Sequence, residues 1–316
     1  MANFALLGVG GFVAPRHLAA IRDTGNALVA ACDPHDSVGI MDRYFPDAAF
    51  FTEVERFDRF LEKRRREGPE RAVRYVSICS PNYLHDAHVR LALRVNAHAI
   101  CEKPLVINPW NLDQLQALER EHETTSIRTV LQLRYLPALA ELKTQIQSSP
   151  PRAKKDVVLS YITRRGRWYH HSWKGSEPKS GGLAMNIGIH LFDAMIWLFG
   201  DVERLEVHAR ESTRVSGVME LQQANVRWFL SIDERDLPED VQAEDAHAYR
   251  SLSMDGQSIE FSTGFQDLHT TVYRETLAGR GHGIDDARAS IELAYRVRTQ
   301  PVVRARDSVH PKLESA

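Results

Sequence analysis

From Met1 to Leu133, short apolar runs alternate with segments of helical period. Phe4–Leu7, Ala27–Cys32, Val73–Cys79, Ala97–Ile100 and Ile127–Leu133 have the length and composition of strands. Between them Pro15–Arg22, Val54–Glu67, the stretch from His85 to Val95 and Leu112–His122 carry apolar residues on one helical face. Val73–Cys79 reads as a continuous apolar strand, the pattern of one buried on both faces. Repeated βα units of this length predict a parallel, doubly wound sheet.

Beyond Arg134 the period changes. One helix, Ala138–Gln147, leads into Pro150-Pro151, and then long strands are predicted at Val157–Arg164, Arg204–Glu211, Gly217–Asp233 and Tyr249–Ser262. The last contains Met254-Asp255-Gly256-Gln257, a hairpin signal. Val218–Leu221 and Val226–Ile232 have one apolar and one mixed face, as in an antiparallel open sheet with helices at Ala184–Phe199 and Ile284–Arg298 on one side. The other face suits a second copy of the chain, so a homo-oligomer, a tetramer, is expected. Pro301 ends the last helix, and the tail to Ala316 has no periodicity. The predicted fold class is therefore α/β: a Rossmann-type domain over 1–122, then an α+β domain over 123–316 with a large open, mostly antiparallel sheet.

At 316 residues the chain can fill two cores. With 26% charged residues and a formal net charge of −2, nothing favours nucleic acid or an anionic membrane as partner. No apolar run of bilayer length is apparent, and Met1–Leu7 runs into a strand without a signal-type segment, so a cytoplasmic location is expected. Cys32, Cys79 and Cys101 are odd in number and unpaired in spacing, which argues against disulfides. They show no zinc spacing, His85 and His88 lack further ligands, and no metal is expected. The run Lys63–Arg66, flanked by Glu62 and Glu67, reads as a solvated helix face.

Three stretches carry chemistry. Gly8-Val9-Gly10-Gly11-Phe12-Val13-Ala14 lies between a strand and a helix, where glycines admit a pyrophosphate to the helix N-terminus. Its third small residue comes one position later than in G-x-G-x-x-G. Asp33, closing the second strand, can accept both ribose hydroxyls and repel a 2′-phosphate, favouring NAD over NADP. A turn or helix-cap role, which Asp36 makes possible, competes. Cys101-Glu102-Lys103-Pro104 follows a buried strand at the sheet's carboxyl edge, where open α/β sheets gather ligands. The proline stops the strand and aims Lys103 outward.

In the second half, the loop from Arg164 to Gly175 mixes arginines with aromatics. That suits a ligand with a carboxylate or phosphate and a ring; a merely exposed basic loop is the other reading. Gly181-Gly182 precedes a helix on which Asn186 and His190 stand at i and i+4, on one face. A helical histidine alone is more often structural.

Together these residues resemble the Gfo/Idh/MocA family of sugar and polyol dehydrogenases. The matching elements are the glycine loop, Ser80-Pro81-Asn82 with His85, Glu102-Lys103-Pro104, and Gly181-Gly182 through His190. The resemblance implies NAD as cofactor, with contacts from Gly8, Gly10, Gly11, Phe12, Val13, Asp33, Asp36, Ser80, Pro81, Asn82, His85, Glu102, Lys103 and Gln132, and from Arg167 and Trp168 in the second domain. It implies Lys103 and His190 as the catalytic pair. Asn186 stands where most members have aspartate; an amide can orient a hydroxyl but cannot take its proton.

The 164–175 segment, Asp267–Thr271 and Gly279–Ala287 are similar to a narrower branch, the UDP-N-acetylglucosaminuronate 3-dehydrogenases of bacterial O-antigen (lipopolysaccharide) synthesis. That branch implies a UDP-sugar uronate substrate held by Arg16, Lys103, Arg164, Arg165, Tyr169, Lys174, Asn186 and His190. It also implies 2-oxoglutarate as a second substrate that regenerates NAD. Dehydrogenation of a free sugar or polyol, and a non-catalytic NAD-binding sensor, are the alternatives.

Overall fold

The computed structural model describes residues 1–148, 153–244, 246–259, 267–304 and 308–314. In chain order the first elements are β1 (Asn3–Leu7), α1 (Ala14–Asp23), β2 (Ala27–Cys32), α2 (Ile40–Tyr44), β3 (Ala49–Phe51) and α3 (Val54–Arg66). Then come β4 (Tyr75–Ile78), α4 (His85–Arg94), β5 (His98–Cys101), α5 (Trp110–Glu121) and β6 (Ile127–Thr129). There follow α6 (Pro137–Ser148), β7 (Lys155–Thr163), α7 (Trp168–His171), α8 (Glu177–Ser180), a π turn (Ala184–Gly188) and α9 (Ile189–Phe199). Next are β8 (Val202–Arg210), β9 (Arg214–Leu221), β10 (Ala224–Ser231), α10 (Glu239–Ala243), β11 (Ala248–Met254) and β12 (Gln257–Ile259). The last are α11 (Leu268–Leu277), α12 (Ile284–Thr299) and α13 (Pro311–Glu314).

The chain forms two compact units: Met1–Gln132 with Gln266–Arg288, and Leu133–Phe265 with Ala289–Ala316. In the first, six strands in the order β3-β2-β1-β4-β5-β6 pair in parallel. The reversal of strand order beside β1 places a crevice at the carboxyl ends of β1 and β4, the standard ligand position in such sheets. Leu6, Val76, Ile78 and Ile100 from the strands and Leu18, Ile21, Val89 and Leu93 from the helices are fully buried. Each such side chain contributes about 1.5–3 kcal/mol.

A unit boundary at residue 122 falls one strand short of this grouping, because β6 pairs with β5 and completes the first sheet. β6 also ends earlier than the apolar run to Leu133, since Gln132–Tyr135 turns into a 3₁₀ helix. The return of α11 to the first unit leaves no trace in the local pattern of the chain.

In the second unit the sheet order is β12-β11-β7-β10-β9-β8, antiparallel except where β7 lies parallel to β10. The single strand expected over Gly217–Asp233 is instead both arms of a hairpin, β9 with β10, whose turn at Gln222-Gln223 has no glycine or proline to announce it. The hairpin at Asp255-Gly256 forms as expected, both residues having positive φ. Glu260–Ser262, Pro150-Pro151 and parts of the tail lie outside the described residues. One expectation is corrected: Glu177–Phe199 is long and apolar enough to span a bilayer by composition, but 72% of its most apolar window is buried in the fold. That is the signature of a core helix.

Candidate functional site

In the first unit the glycine loop and Asp33 meet. Gly8 has φ +87°, and a Cβ there would lie 2.6 Å from the Cys79 carbonyl carbon and the Ser80 nitrogen, so only glycine fits. Its N–H donates to Cys32 O at 2.8 Å. Gly10 N–H donates to Asp33 Oδ2 at 2.9 Å, and His35 N–H donates to Oδ1 at 2.9 Å. A Cβ on Gly10 would stand 3.1 Å from that carboxylate oxygen. The loop backbone and the ribose-type carboxylate thus form one cradle, with α1 starting directly behind it at Ala14. Phe12 is 81% exposed on the loop, Val13 caps α1, and Arg16 and Asp36 are exposed.

After β4, Ser80 Oγ pairs with His88 Nδ1 at 2.8 Å, Pro81 is half-buried and Asn82 is buried. His85 is buried, and its Nδ1 and Nε2 lie 2.6 Å from Pro104 O and 2.8 Å from Ser80 O. Burial holds its pKa below the usual histidine value, against the two carbonyls that favour the charged ring. The ring thus braces the Ser80 turn against the Lys103-Pro104 turn.

The Glu102 side chain also bonds inward. Its carboxylate is buried, with Oε1 3.0 Å from His17 Nε2 and 2.9 Å from His269 Nε2, and Oε2 accepting Lys103 N–H at 3.2 Å. Burial alone would raise its pKa, but the two histidine bonds outweigh it and hold the carboxyl well below the usual range. Neither His17 nor His269 was singled out from the sequence. Lys103 itself is half-buried, and its bond to Pro104 is cis. Gln132 Oε1 is buried with no hydrogen-bond partner among the described residues, an acceptor suited to an amide N–H. The cysteines are poor nucleophiles: burial pushes the Cys32 thiol up to about 11 and those of Cys79 and Cys101 well up.

Of the residues expected to hold NAD, the loop, Asp33 and Gln132 present backbone and acceptor groups that suit a dinucleotide, and the side chains of Glu102 and His85 are engaged with protein partners.

In the second unit, Gly181 and Gly182 have φ +81° and +73°, a left-handed pair that carries the chain from α8 into the π turn. Asn186 lies on that turn and donates Nδ2–H to Tyr169 OH at 2.9 Å, while His190 stands half-buried on the first turn of α9. A π turn where an α-helix was expected is a common marker of functional sites. Tyr169 is buried, which raises its pKa. The structure gathers Arg164, Arg165, Arg167, Trp168, His170 and His247 around one cleft of about 580 Å³, with Asp233 and Glu234 also on its wall. Arg165 Nε is buried there with no partner among the described residues. Lys174 lines a second cleft of about 230 Å³, which shares His170 with the first, together with Tyr169, Arg210 and Arg298. Its ammonium lies 5.4 Å from the Trp168 ring centre.

Residues 2–129 match a family described as an oxidoreductase family with an NAD-binding Rossmann fold, and residues 156–233 match that family's C-terminal α/β domain. Among characterised proteins the chain is 27% identical over 232 residues to the glucose-6-phosphate 3-dehydrogenase of Bacillus subtilis, covering 68% of this chain and 59% of that protein. It is 28% identical over 129 residues to the D-glucoside 3-dehydrogenase of Escherichia coli, covering 40% of this chain and 35% of that one. The chain thus spans less than two thirds of either. Among solved structures, the WlbA (WbpB) dehydrogenase of Thermus thermophilus is 49% identical, with a TM-score of 0.94 over 98% of this chain and 99% of that one. It was crystallised with NAD and α-ketoglutarate, and with NAD and UDP-GlcNAcA. WlbA from Bordetella pertussis, 18% identical with a TM-score of 0.74 over 94% of each chain, shares the fold.

Proposed function

Since this chain belongs to the Gfo/Idh/MocA oxidoreductase family, with an NAD-binding Rossmann domain, we propose that it oxidises the C3 hydroxyl of UDP-N-acetylglucosaminuronate (UDP-GlcNAcA) to the 3-keto sugar. The observation that carries this reading is the likeness, over nearly the whole of both chains, to the Thermus enzyme crystallised with NAD and that sugar nucleotide. The second unit supports it with a cleft that offers three arginines and a tryptophan to an anionic, ring-bearing ligand.

NAD, when bound, supplies the acceptor for the hydride that leaves C3. The chain's own residues handle the proton and the orientation. His190 and Lys103 are the titrating pair: one takes the hydroxyl proton, the other stabilises the developing alkoxide. Asn186, its amide oriented by Tyr169, holds the sugar hydroxyls without titrating. Arg164, Arg165 and Arg167, with Lys174, bind the uronate carboxylate and the diphosphate. Asp33 takes the adenosine ribose, and Gln132 Oε1 accepts an N–H of the cofactor. In a second half-cycle 2-oxoglutarate takes the hydride on its keto carbon and a proton on its oxygen, regenerating the oxidised cofactor. The active form is a homotetramer joined through the open face of the second sheet. The reaction serves O-antigen sugar synthesis in the cytoplasm.

Incubation with NAD, 2-oxoglutarate and a panel of UDP-sugars and free polyols tests this. A product two mass units lighter than UDP-GlcNAcA is expected, with UDP inhibiting. Because the two 3-dehydrogenase relatives are named for glucose derivatives without a nucleotide, a free sugar is the second reading. Turnover of a free sugar, indifferent to UDP, would establish it instead.

A further inference from the structure

Behind the Lys103 turn lies a chain of buried polar side chains drawn from four separate elements: Ser77 on β4, His17 on α1, Glu102 after β5, and His269 and Tyr273 on α11. Ser77 Oγ and Tyr273 OH are 2.6 Å apart, Tyr273 OH and His17 Nδ1 2.7 Å, and both imidazole Nε2 atoms meet Glu102 Oε1. Ligand atoms of His17, Glu102 and His269 lie within 4.8 Å of one another, as a metal site would require. The N···O separations of 3.0 and 2.9 Å are hydrogen-bond lengths, shorter than the ~3.3 Å between ligand atoms on one tetrahedral zinc.

One proton arrangement satisfies the whole chain. An ionised carboxylate only accepts, so both histidines present Nε2–H to Glu102. Burial disfavours the charged ring of His17, so the neutral imidazole is left with a lone pair on Nδ1, which obliges Tyr273 to donate to it. Tyr273 oxygen in turn accepts from Ser77. His269 Nδ1, buried with no partner among the described residues, bears a lone pair at lower cost than an unsatisfied N–H. Every donation runs toward Glu102, whose other oxygen takes the main-chain N–H of Lys103. The one network therefore ties the α11 helix, which returns from far along the chain, to the residue on which the proposed chemistry turns.

We propose that His17 and His269 are positioning residues, which hold the Glu102 carboxylate and through it the Lys103 main chain in one orientation. This rests on the reading of Lys103 as a proton-handling residue, and it assigns to α11 a part in catalysis without contact with substrate. A staple that merely fastens α11 to the sheet would predict lost stability and nothing more.

His269→Leu removes one donor to Glu102, and His269→Gln offers an amide N–H to the same oxygen. In His269→Leu, kcat should fall at least tenfold, with KM for the sugar and the Kd for NAD within about threefold of the parent. His269→Gln should recover most of that loss. Hydrogen exchange at the Lys103 amide, measured in the cofactor-free protein, should quicken at least tenfold in the leucine variant and return toward the parent in the glutamine variant. Equal behaviour of the two variants, or unchanged Lys103 exchange in both, would overturn the proposal. The exchange reading needs no substrate, so a wrong substrate assignment leaves it decisive. If the leucine variant does not fold, His17→Gln and His269→Gln together, with the same exchange readout, serve instead: a parent-like Lys103 amide is expected, and a deprotected one contradicts the network.

Discussion

His310 shows how one buried ring writes a pH dependence into the fold. It stacks on Phe229, with Nε2 3.1 Å from Ser160 Oγ, and its Nδ1 accepts Lys312 N–H at 3.1 Å. That acceptor role requires the neutral ring, and burial pulls its pKa down to about 4. The unfolded chain, with an ordinary value near 6.5, binds more protons between pH 4 and 6.5, so stability rises with pH across that window. The contribution is complete above 6.5 and lost as pH falls toward 4. Thermal melts should show Tm falling through this range, and His310→Leu should flatten part of the slope. An unchanged slope would remove His310 as its source.

At the same scale, Lys103→Met should lower kcat by about 10³-fold or more while NAD still binds, measured by titration and turnover in parallel. The residue types of the site were legible: Asp33, Lys103 and the glycines stand where the strand ends put them. Their directions were not. Glu102 and His85 point inward to imidazole and carbonyl partners that come from distant parts of the chain, and nothing local reveals that.

Among the elements, periodicity found those whose buried face is apolar. It missed α11 because that helix turns His269, Thr270, Tyr273 and Thr276 inward beside Leu268 and Val272, so its buried face looks polar. The pairing of Arg134 with Asp193 was hidden for a similar reason. Two bonds of 2.9 and 3.0 Å join them across 59 positions of sequence, the carboxylate fully enclosed. Asp193→Ala removes both of these charged bonds from a buried site and should cost about 3 kcal/mol, read as a lower denaturation midpoint.

For the whole molecule, the two-sheet architecture was readable because its halves differ in period, continuous apolar runs in one and alternation in the other. The chain's return to its first unit was not, since connectivity of that kind leaves no local trace. The open face of the second sheet carries cross-strand ion pairs, Arg204 with Glu220 and Arg227 with Asp156, and light scattering should report four copies. A monomer would refute that assembly. Hydride leaving a UDP-linked uronate for the cofactor is the step on which every proposed residue role depends. Its most direct test is the absorbance at 340 nm of NAD-loaded protein mixed with UDP-GlcNAcA alone. The prediction is a rise that 2-oxoglutarate reverses. No rise with the sugar nucleotide, together with a rise on adding a free polyol, would contradict it.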